Sequence, residues 1–266
     1  MVYRTEAYAK VNIGLKITGR RDDGYHTLSS YFLLVPFHDE ISLEIKDGNE
    51  TTIEGNGGYL TSGEDLMAKA VRLYRKKTGL EFGTDIKIKK NIPVKAGMGG
   101  GSSDASTVLR LLNEHYGALT EDEMFSLSCA VGADVPFFSS CLHFAYVEGT
   151  GDIIEKREFP SRYRYITLFR ADSGGVDTRE AYRRLDNLGL DFRPLGDITY
   201  PVTRSSFPND FERIEGTAVY DRLKDRLRKG DYLSLTGSGS VWFLLSEKKW
   251  TGKDESLIAT EKLFVD

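Results

Sequence analysis

The run Pro93-Val94-Lys95-Ala96-Gly97-Met98-Gly99-Gly100-Gly101-Ser102-Ser103 packs four glycines into five consecutive positions and ends on two hydroxyls. Backbone N–H groups converge on an anion only where the residues carrying them accept unusual dihedrals and add no bulk, which is what Gly97, Gly99, Gly100 and Gly101 supply. A strand-like run, Ile86 to Lys90, precedes the segment. A helix is expected to open at Ser102-Ser103-Asp104, since Ala105, Val108, Leu112 and Tyr116 share one face and Gly117 supplies a stop. The last N–H groups of the segment and the positive end of that helix would then face one phosphate chain. No Gly-Lys-Ser/Thr closes the motif and Lys95 comes too early, so this is not a Walker A loop. The competing reading is a glycine-rich turn without a ligand. The strand before, the helix after and the paired serines favour a phosphate cradle.

Two further segments lie downstream. Leu235-Thr236-Gly237-Ser238-Gly239-Ser240 is a second glycine-rich turn between strand-like runs, a hairpin turn if taken alone and a cover for substrate or phosphate if taken with the first. Gly132-Ala133-Asp134-Val135-Pro136 sets a carboxylate between small residues and a proline, in a position with little rotational freedom. By itself Asp134 reads as a turn or helix cap.

Outward from these motifs the chain alternates strands and helices. Ala7 to Thr18 reads as a strand with Val11, Ile13, Leu15 and Ile17 on one face and Lys10, Asn12 and Lys16 on the other. Strands are expected around Ser30 to Phe37, Ile41 to Ile45, Leu142 to Val147 and Tyr165 to Phe169. Helices are expected over Glu64 to Thr78, Glu121 to Ala130, Asp177 to Asp186 and Asn209 to Arg228, and a short helix at the C-terminus. The segment Asn187 to Pro208 carries three prolines and little periodicity, and reads as a surface connection. The mixture is α+β in two lobes that join near residues 150 to 165.

Composition narrows the function classes. A chain of 266 residues, 40% hydrophobic and 29% charged, can bury one large core or two joined ones. Its net charge of −4, with both signs interspersed, leaves no basic face to follow a nucleic-acid backbone. No stretch approaches the roughly 20 apolar residues of a membrane span, and no signal-like h-region follows Met1, so a cytoplasmic protein is expected. Cys129 and Cys141 lack metal or redox spacing and read as buried, reduced thiols.

The three motifs, in this order, resemble those of the GHMP kinase superfamily, which phosphorylates hydroxyls of small metabolites with ATP and Mg2+. Ala9-Lys10-Val11-Asn12-Ile13-Gly14-Leu15 and Thr18-Gly19-Arg20-Arg21-Asp22-Asp23-Gly24-Tyr25-His26 narrow the resemblance to the kinases of a cytidyl-linked methylerythritol, in the methylerythritol phosphate route to isoprenoids. The likeness runs through Gly132 to Phe137, Glu148-Gly149 and Asn209-Asp210-Phe211-Glu212, and is weak over residues 48–63 and 188–207. It implies a two-lobed fold: residues 1–155 an ATP-binding lobe like the second domain of ribosomal protein S5, residues 156–266 a ferredoxin-like α/β sandwich.

The resemblance also implies roles. Asp134 would be the base or orienting carboxylate for the acceptor hydroxyl and Lys10 the cation sharing its developing charge. ATP would be held by Pro93, Val94, Lys95, Ala96, Gly97, Met98, Gly99, Gly100, Gly101, Ser102 and Ser103, with Lys90 near the adenine. Substrate would meet Asn12, Tyr25, His26, Phe32, Tyr182, Gly237, Ser238 and Gly239. Tyr25 and Tyr182 would stack on the cytosine and His26 would read its pairing edge. Phe32 would floor the erythritol pocket, or serve the core. Asp65 stands where the family carries Asn. The expected partners are ATP and the small-molecule substrate, with no nucleic acid and no membrane, in a monomer or weak homodimer. The alternatives are a superfamily kinase of homoserine, mevalonate or a sugar, a non-catalytic metabolite-binding protein of the same fold, and an RNA-associated protein.

Overall fold

The computed structural model describes residues 1–55, 58–59, 65–160, 162–171 and 176–264. Its elements in chain order are β1 (Val2–Arg20), β2 (His26–Lys46), β3 (Thr51–Gly55), β4 (Gly58–Tyr59), α1 (Leu66–Thr78), β5 (Gly83–Lys89), α2 (Gly100–Tyr116), α3 (Glu121–Val131), α4 (Val135–Ser139), β6 (Phe144–Gly149), β7 (Ile153–Lys156), β8 (Tyr165–Arg170), α5 (Thr178–Leu185), α6 (Glu212–Glu215), α7 (Ala218–Leu223), β9 (Tyr232–Leu235), β10 (Val241–Ser246) and β11 (Leu257–Lys262). The class is α+β, as expected. Among the described residues no helix is long and apolar enough to cross a membrane.

The chain forms two compact units from interleaved segments. The first is Met1–Ala9, His38–Pro93 and Gly99–Leu142; the second is Lys10–Phe37, Val94–Met98 and His143–Asp266. The interleaving follows from two long strands: β1 and β2 pair with each other, and each passes through both units. The strands expected at Ser30 and Ile41 are therefore one, because β2 stays extended across the polar residues His38, Asp39 and Glu40.

In the first unit the C-terminal half of β2 pairs antiparallel with β5, from Glu40 opposite Lys89 to Lys46 opposite Gly83, and β3 runs parallel to β5. One face of these strands is apolar, with Ala7, Ile41, Leu43, Ile86 and Ile88, and packs against Met67, Ala70, Tyr74, Val108, Leu109 and Leu112 of α1 and α2. The expected start of α1 at Glu64 lies outside the described residues. Asp65 caps α1, its carboxylate accepting from Met67 N at 2.8 Å and Ala68 N at 3.2 Å. An Asp at this position therefore has a helix-capping task of its own.

In the second unit the N-terminal half of β2 pairs with β6, and β6 with β7. A separate antiparallel sheet runs β11-β8-β10-β9. Its core joins Leu15 and Ile17 of β1 to Phe169, Leu185, Phe211, Leu223, Leu235 and Trp242. The helix expected over Asn209 to Arg228 is two short ones, because Gly216 takes a left-handed backbone, φ +79°, between α6 and α7. The C-terminal segment is the edge strand β11, paired with β8, since a free sheet edge offers Leu257–Lys262 a ladder that isolated helix formation lacks. The thiols also differ from expectation: Cys129 is half-buried and Cys141 exposed, and neither is in a disulfide.

Candidate active site

The glycine-rich segment divides between the units, and each part has its own support. In the second unit, Val94–Met98 lies against the Leu235–Ser240 turn. Gly97 takes φ +73°, and a Cβ built on it would stand 2.1 Å from the Thr236 carbonyl oxygen. The Thr236 hydroxyl donates to the Gly97 carbonyl at 3.1 Å, and Gly237 faces Gly97 so closely that its own Cβ would meet that carbonyl at 2.8 Å. Val241 N donates to Ala96 O and Lys10 N to Met98 O. Asn209 holds the far side of the turn, its side-chain amide donating to Leu235 O at 2.8 Å and Gly237 O at 2.9 Å. Two glycine motifs 139 residues apart are thus in backbone contact. Gly237 packs against the glycine-rich segment, Ser238 Oγ is hydrogen-bonded to Thr178 Oγ1 at 3.0 Å, and Gly239 N donates to Thr236 O within the turn.

In the first unit α2 begins at Gly100, earlier than the expected Ser102, behind Gly99 at φ +68° with no side-chain cap. The opening N–H groups of a helix have no partner within it, and here no side chain caps them. Ser103 turns inward, its hydroxyl donating to Tyr8 O at 2.6 Å. Of the two serines, Ser102 keeps the more exposed position.

Beneath this helix start lies a charge cluster that motif reading missed. Asp104, 2% exposed, accepts from Lys90 Nζ at 2.8 Å, and Lys90 also pairs with the fully buried Asp39, which accepts from Asn91 N and Ile92 N. Lys90 packs at the helix start, its Nζ 3.3 Å from where a Gly100 Cβ would stand. Burial alone would lower the Lys90 pKa, but the two carboxylates outweigh it and hold it above its ordinary value. Burial pushes the Asp104 carboxyl up to about 7 against the pull of Lys90, with the Asp39 charge adding to the rise. The Asp104 Oδ1 is buried without a hydrogen-bond partner, which disfavours the charged form for the same reason.

Between the ordinary carboxyl value of 3.8 and about 7, the folded chain keeps a proton on Asp104 that the unfolded chain has released. The stability this group contributes is complete below the lower value and is lost as pH rises through the upper one. Asp104→Asn should flatten that part of the stability profile, measured as urea midpoints from pH 4 to 7. Equal slopes in the two proteins would refute the assignment.

In the second unit the polar face of β1 is buried rather than solvated. Lys10, 4% exposed, donates to Asn12 Oδ1 at 2.7 Å and its ammonium lies 4.6 Å from the centre of the Phe32 ring. Asn12 donates through its side chain to Ser30 Oγ at 2.9 Å and through its backbone to Thr236 Oγ1 at 3.1 Å. Phe32 is fully buried beneath Lys10. Lys10, Asn12, Phe32 and Thr236 therefore form one connected group. Asp134 belongs to the first unit, half-buried at the N-cap position of α4, and its carboxylate makes no capping bond there.

Tyr25 stands 67% exposed on a tight turn in which Gly24 takes φ +87° and Tyr25 N donates to Asp23 Oδ1. His26 opens β2. Its ring stacks on Tyr182 at 4.8 Å between centroids with the planes 18° apart, and its Nε2 lies 2.6 Å from Asp186 Oδ1. Tyr182, expected as a stacking partner for a base, thus has His26 against its ring, with Phe211 edge-on at 5.0 Å. Neither Asp186 nor Asp104 belongs to a recognisable motif, and only their positions, just past α5 and directly after Ser102-Ser103, could have singled them out. An open groove of about 820 Å³ in the first unit, lined by Arg4, Glu6, Tyr8, His38, Glu40 and Lys89, holds none of the expected site residues.

Residues 65–141 match the model of the GHMP kinases N terminal domain. The chain is 34% identical to the 4-diphosphocytidyl-2-C-methyl-D-erythritol kinase of Francisella philomiragia, over 91% of this chain and 86% of that one. It is 35% identical to the enzyme of the same name from Chlorobium phaeobacteroides, over 91% and 88%. A crystal structure of 4-(cytidine 5'-diphospho)-2C-methyl-D-erythritol kinase superposes with a TM-score of 0.72 at 29% identity, covering 92% of this chain and 90% of that one. By this identity along nearly its whole length, the chain belongs to the 4-diphosphocytidyl-2-C-methyl-D-erythritol kinase family of the GHMP kinases.

Proposed function

We propose that this protein transfers the γ-phosphoryl group of ATP to the C2 hydroxyl of 4-diphosphocytidyl-2-C-methyl-D-erythritol, giving the 2-phosphate and ADP. Family membership supports the reaction. The observation that carries it to this chain is the start of α2, opened by Gly99 at φ +68° with no side-chain cap, which suits a phosphate group. Phosphoryl transfer needs little covalent chemistry from protein, so positioning and charge stabilisation are the residues' work. Asp134 would orient or deprotonate the hydroxyl. Lys10, held by Asn12 over Phe32, would offer fixed positive charge. Tyr25 and His26 would select the cytosine.

Magnesium belongs to the same proposal. Among the described residues no group of three or more His, Cys, Asp or Glu side chains could hold a metal ion. The ion would come with the phosphates of ATP. A cytoplasmic location and a monomeric or weakly dimeric state are part of the proposal, as is the absence of nucleic-acid partners, which the net charge of −4 supports.

The test is to mix purified protein with ATP, magnesium and the cytidyl-linked methylerythritol and follow the reaction by phosphorus NMR. A new monophosphate ester resonance with release of ADP is expected. Turnover of homoserine, mevalonate or a sugar instead would overturn the substrate assignment.

A further inference from the structure

His26 is held from two directions within the second unit. Its Nε2 meets Asp186 Oδ1 at 2.6 Å, and its ring lies flat on Tyr182, so that the side chain is only 8% exposed. Asp186 is itself anchored: its backbone N–H closes α5 onto Tyr182 O, and its second oxygen lies 3.4 Å from Arg20. The charged and titratable groups facing the imidazole are thus Asp186 and Tyr182 from α5 and its end, with Arg20 of β1 behind Asp186. An ionised carboxylate can only accept hydrogen bonds, so it places a proton on Nε2. The neutral ring then has one acceptor left, Nδ1, which has no hydrogen-bond partner among the described residues.

We infer that Asp186 is a specificity-determining positioning residue, which by holding Nε2–H makes His26 Nδ1 a fixed acceptor and so selects a pyrimidine bearing an exocyclic amine over one bearing a carbonyl. The inference rests on the reading that Tyr25 and His26 receive the pyrimidine of the substrate. Cytosine offers an amine at C4, which donates to Nδ1. Uracil offers a carbonyl there, and two lone pairs would face each other with neither satisfied. Sites built around one hydrogen bond discriminate strongly because the wrong partner leaves a desolvated polar group unpaired.

The experiment compares kcat/KM for the cytidyl-linked substrate and its uridyl counterpart in one protein at a time, so that any loss of folded enzyme cancels in the ratio. The native protein should favour the cytidyl substrate by roughly tenfold or more. Asp186→Asn can turn its amide N–H₂ toward Nε2, moving the ring proton to Nδ1, and the ratio should collapse or invert. Asp186→Ala should lower it without inversion, and Arg20→Gln, which spares the His26 contact, should leave it unchanged. A ratio unaltered in both Asp186 variants overturns the inference while leaving the kinase reading intact. Failure of the native protein to turn over either substrate, with nucleotide still bound, overturns the pyrimidine-site reading and the inference with it.

Discussion

Asp134→Asn is expected to lower turnover by about 10²–10⁴-fold, or roughly 3 to 5.5 kcal/mol of barrier, with nucleotide affinity retained. The substitution keeps size and shape and removes only the ability to accept a proton or to bind a developing positive charge. The carboxylate sits at the N-cap of α4 without bonding its backbone, and Val135, Pro136 and Phe137 beside it are buried and hold the turn by packing. Thermal midpoints of the two proteins, measured alongside, separate a loss of chemistry from a loss of fold. The measurement is a coupled ADP-release assay alongside titration with a non-hydrolysable nucleotide. Normal turnover in the variant would remove Asp134 from the mechanism; loss of nucleotide binding would make it a structural residue.

Gly97→Ala is expected to be the most damaging small substitution in the glycine-rich segment. Its Cβ would stand 2.1 Å from the Thr236 carbonyl oxygen, a distance no packing adjustment of a flexible side chain can relieve, because both partners are backbone. The left-handed φ of +73° adds about 1 kcal/mol or more for any residue with a Cβ. Relief requires the Thr236–Gly237 turn to retreat, with loss of the Thr236 hydroxyl bond to Gly97 O and strain on the Asn209 contacts behind it. A loss of about 3 kcal/mol or more is expected, lowering the thermal midpoint by roughly 6–12 °C, with activity lost in step. Gly101→Ala is the internal comparison. That position lies in the first turn of α2 with negative φ, and the nearest atom to its Cβ would be Leu66 Cδ1 at 3.9 Å. Its stability should be unchanged or slightly raised, by up to about 1 kcal/mol. Equal thermal midpoints for the two variants would refute the clamp.

These two glycines look alike in the sequence and differ only through a contact 139 residues away. The same limit explains the other differences from sequence expectation. Period-two alternation identified Val11, Ile13, Leu15 and Ile17 as one face of β1, and all four are buried. It also grouped Lys10, Asn12 and Lys16 on the opposite face, where alternation alone suggests solvent. Lys10 and Asn12 are instead sealed beneath the Thr236 turn and beside Ser30, and Lys16 pairs with the buried Asp210 at 3.1 Å. A polar residue at a strand position does not say whether another segment will cover it.

Motif order and local periodicity carried the α+β class, the glycine-rich segment ahead of a helix, and the Asp-Gly turn presenting Tyr25 and His26, because each depends on residues within a few positions of one another. Tertiary structure alone decided the interleaving of the two units, the edge strand at Leu257–Lys262 and the break at Gly216. It also paired Lys90 with Asp104 and Asp39, and His26 with an aspartate 160 residues along the chain. Backbone propensity is a local quantity, whereas the proton on Asp104, the tautomer of His26 and the intolerance of Gly97 are set by whichever groups the fold brings within about 3 Å.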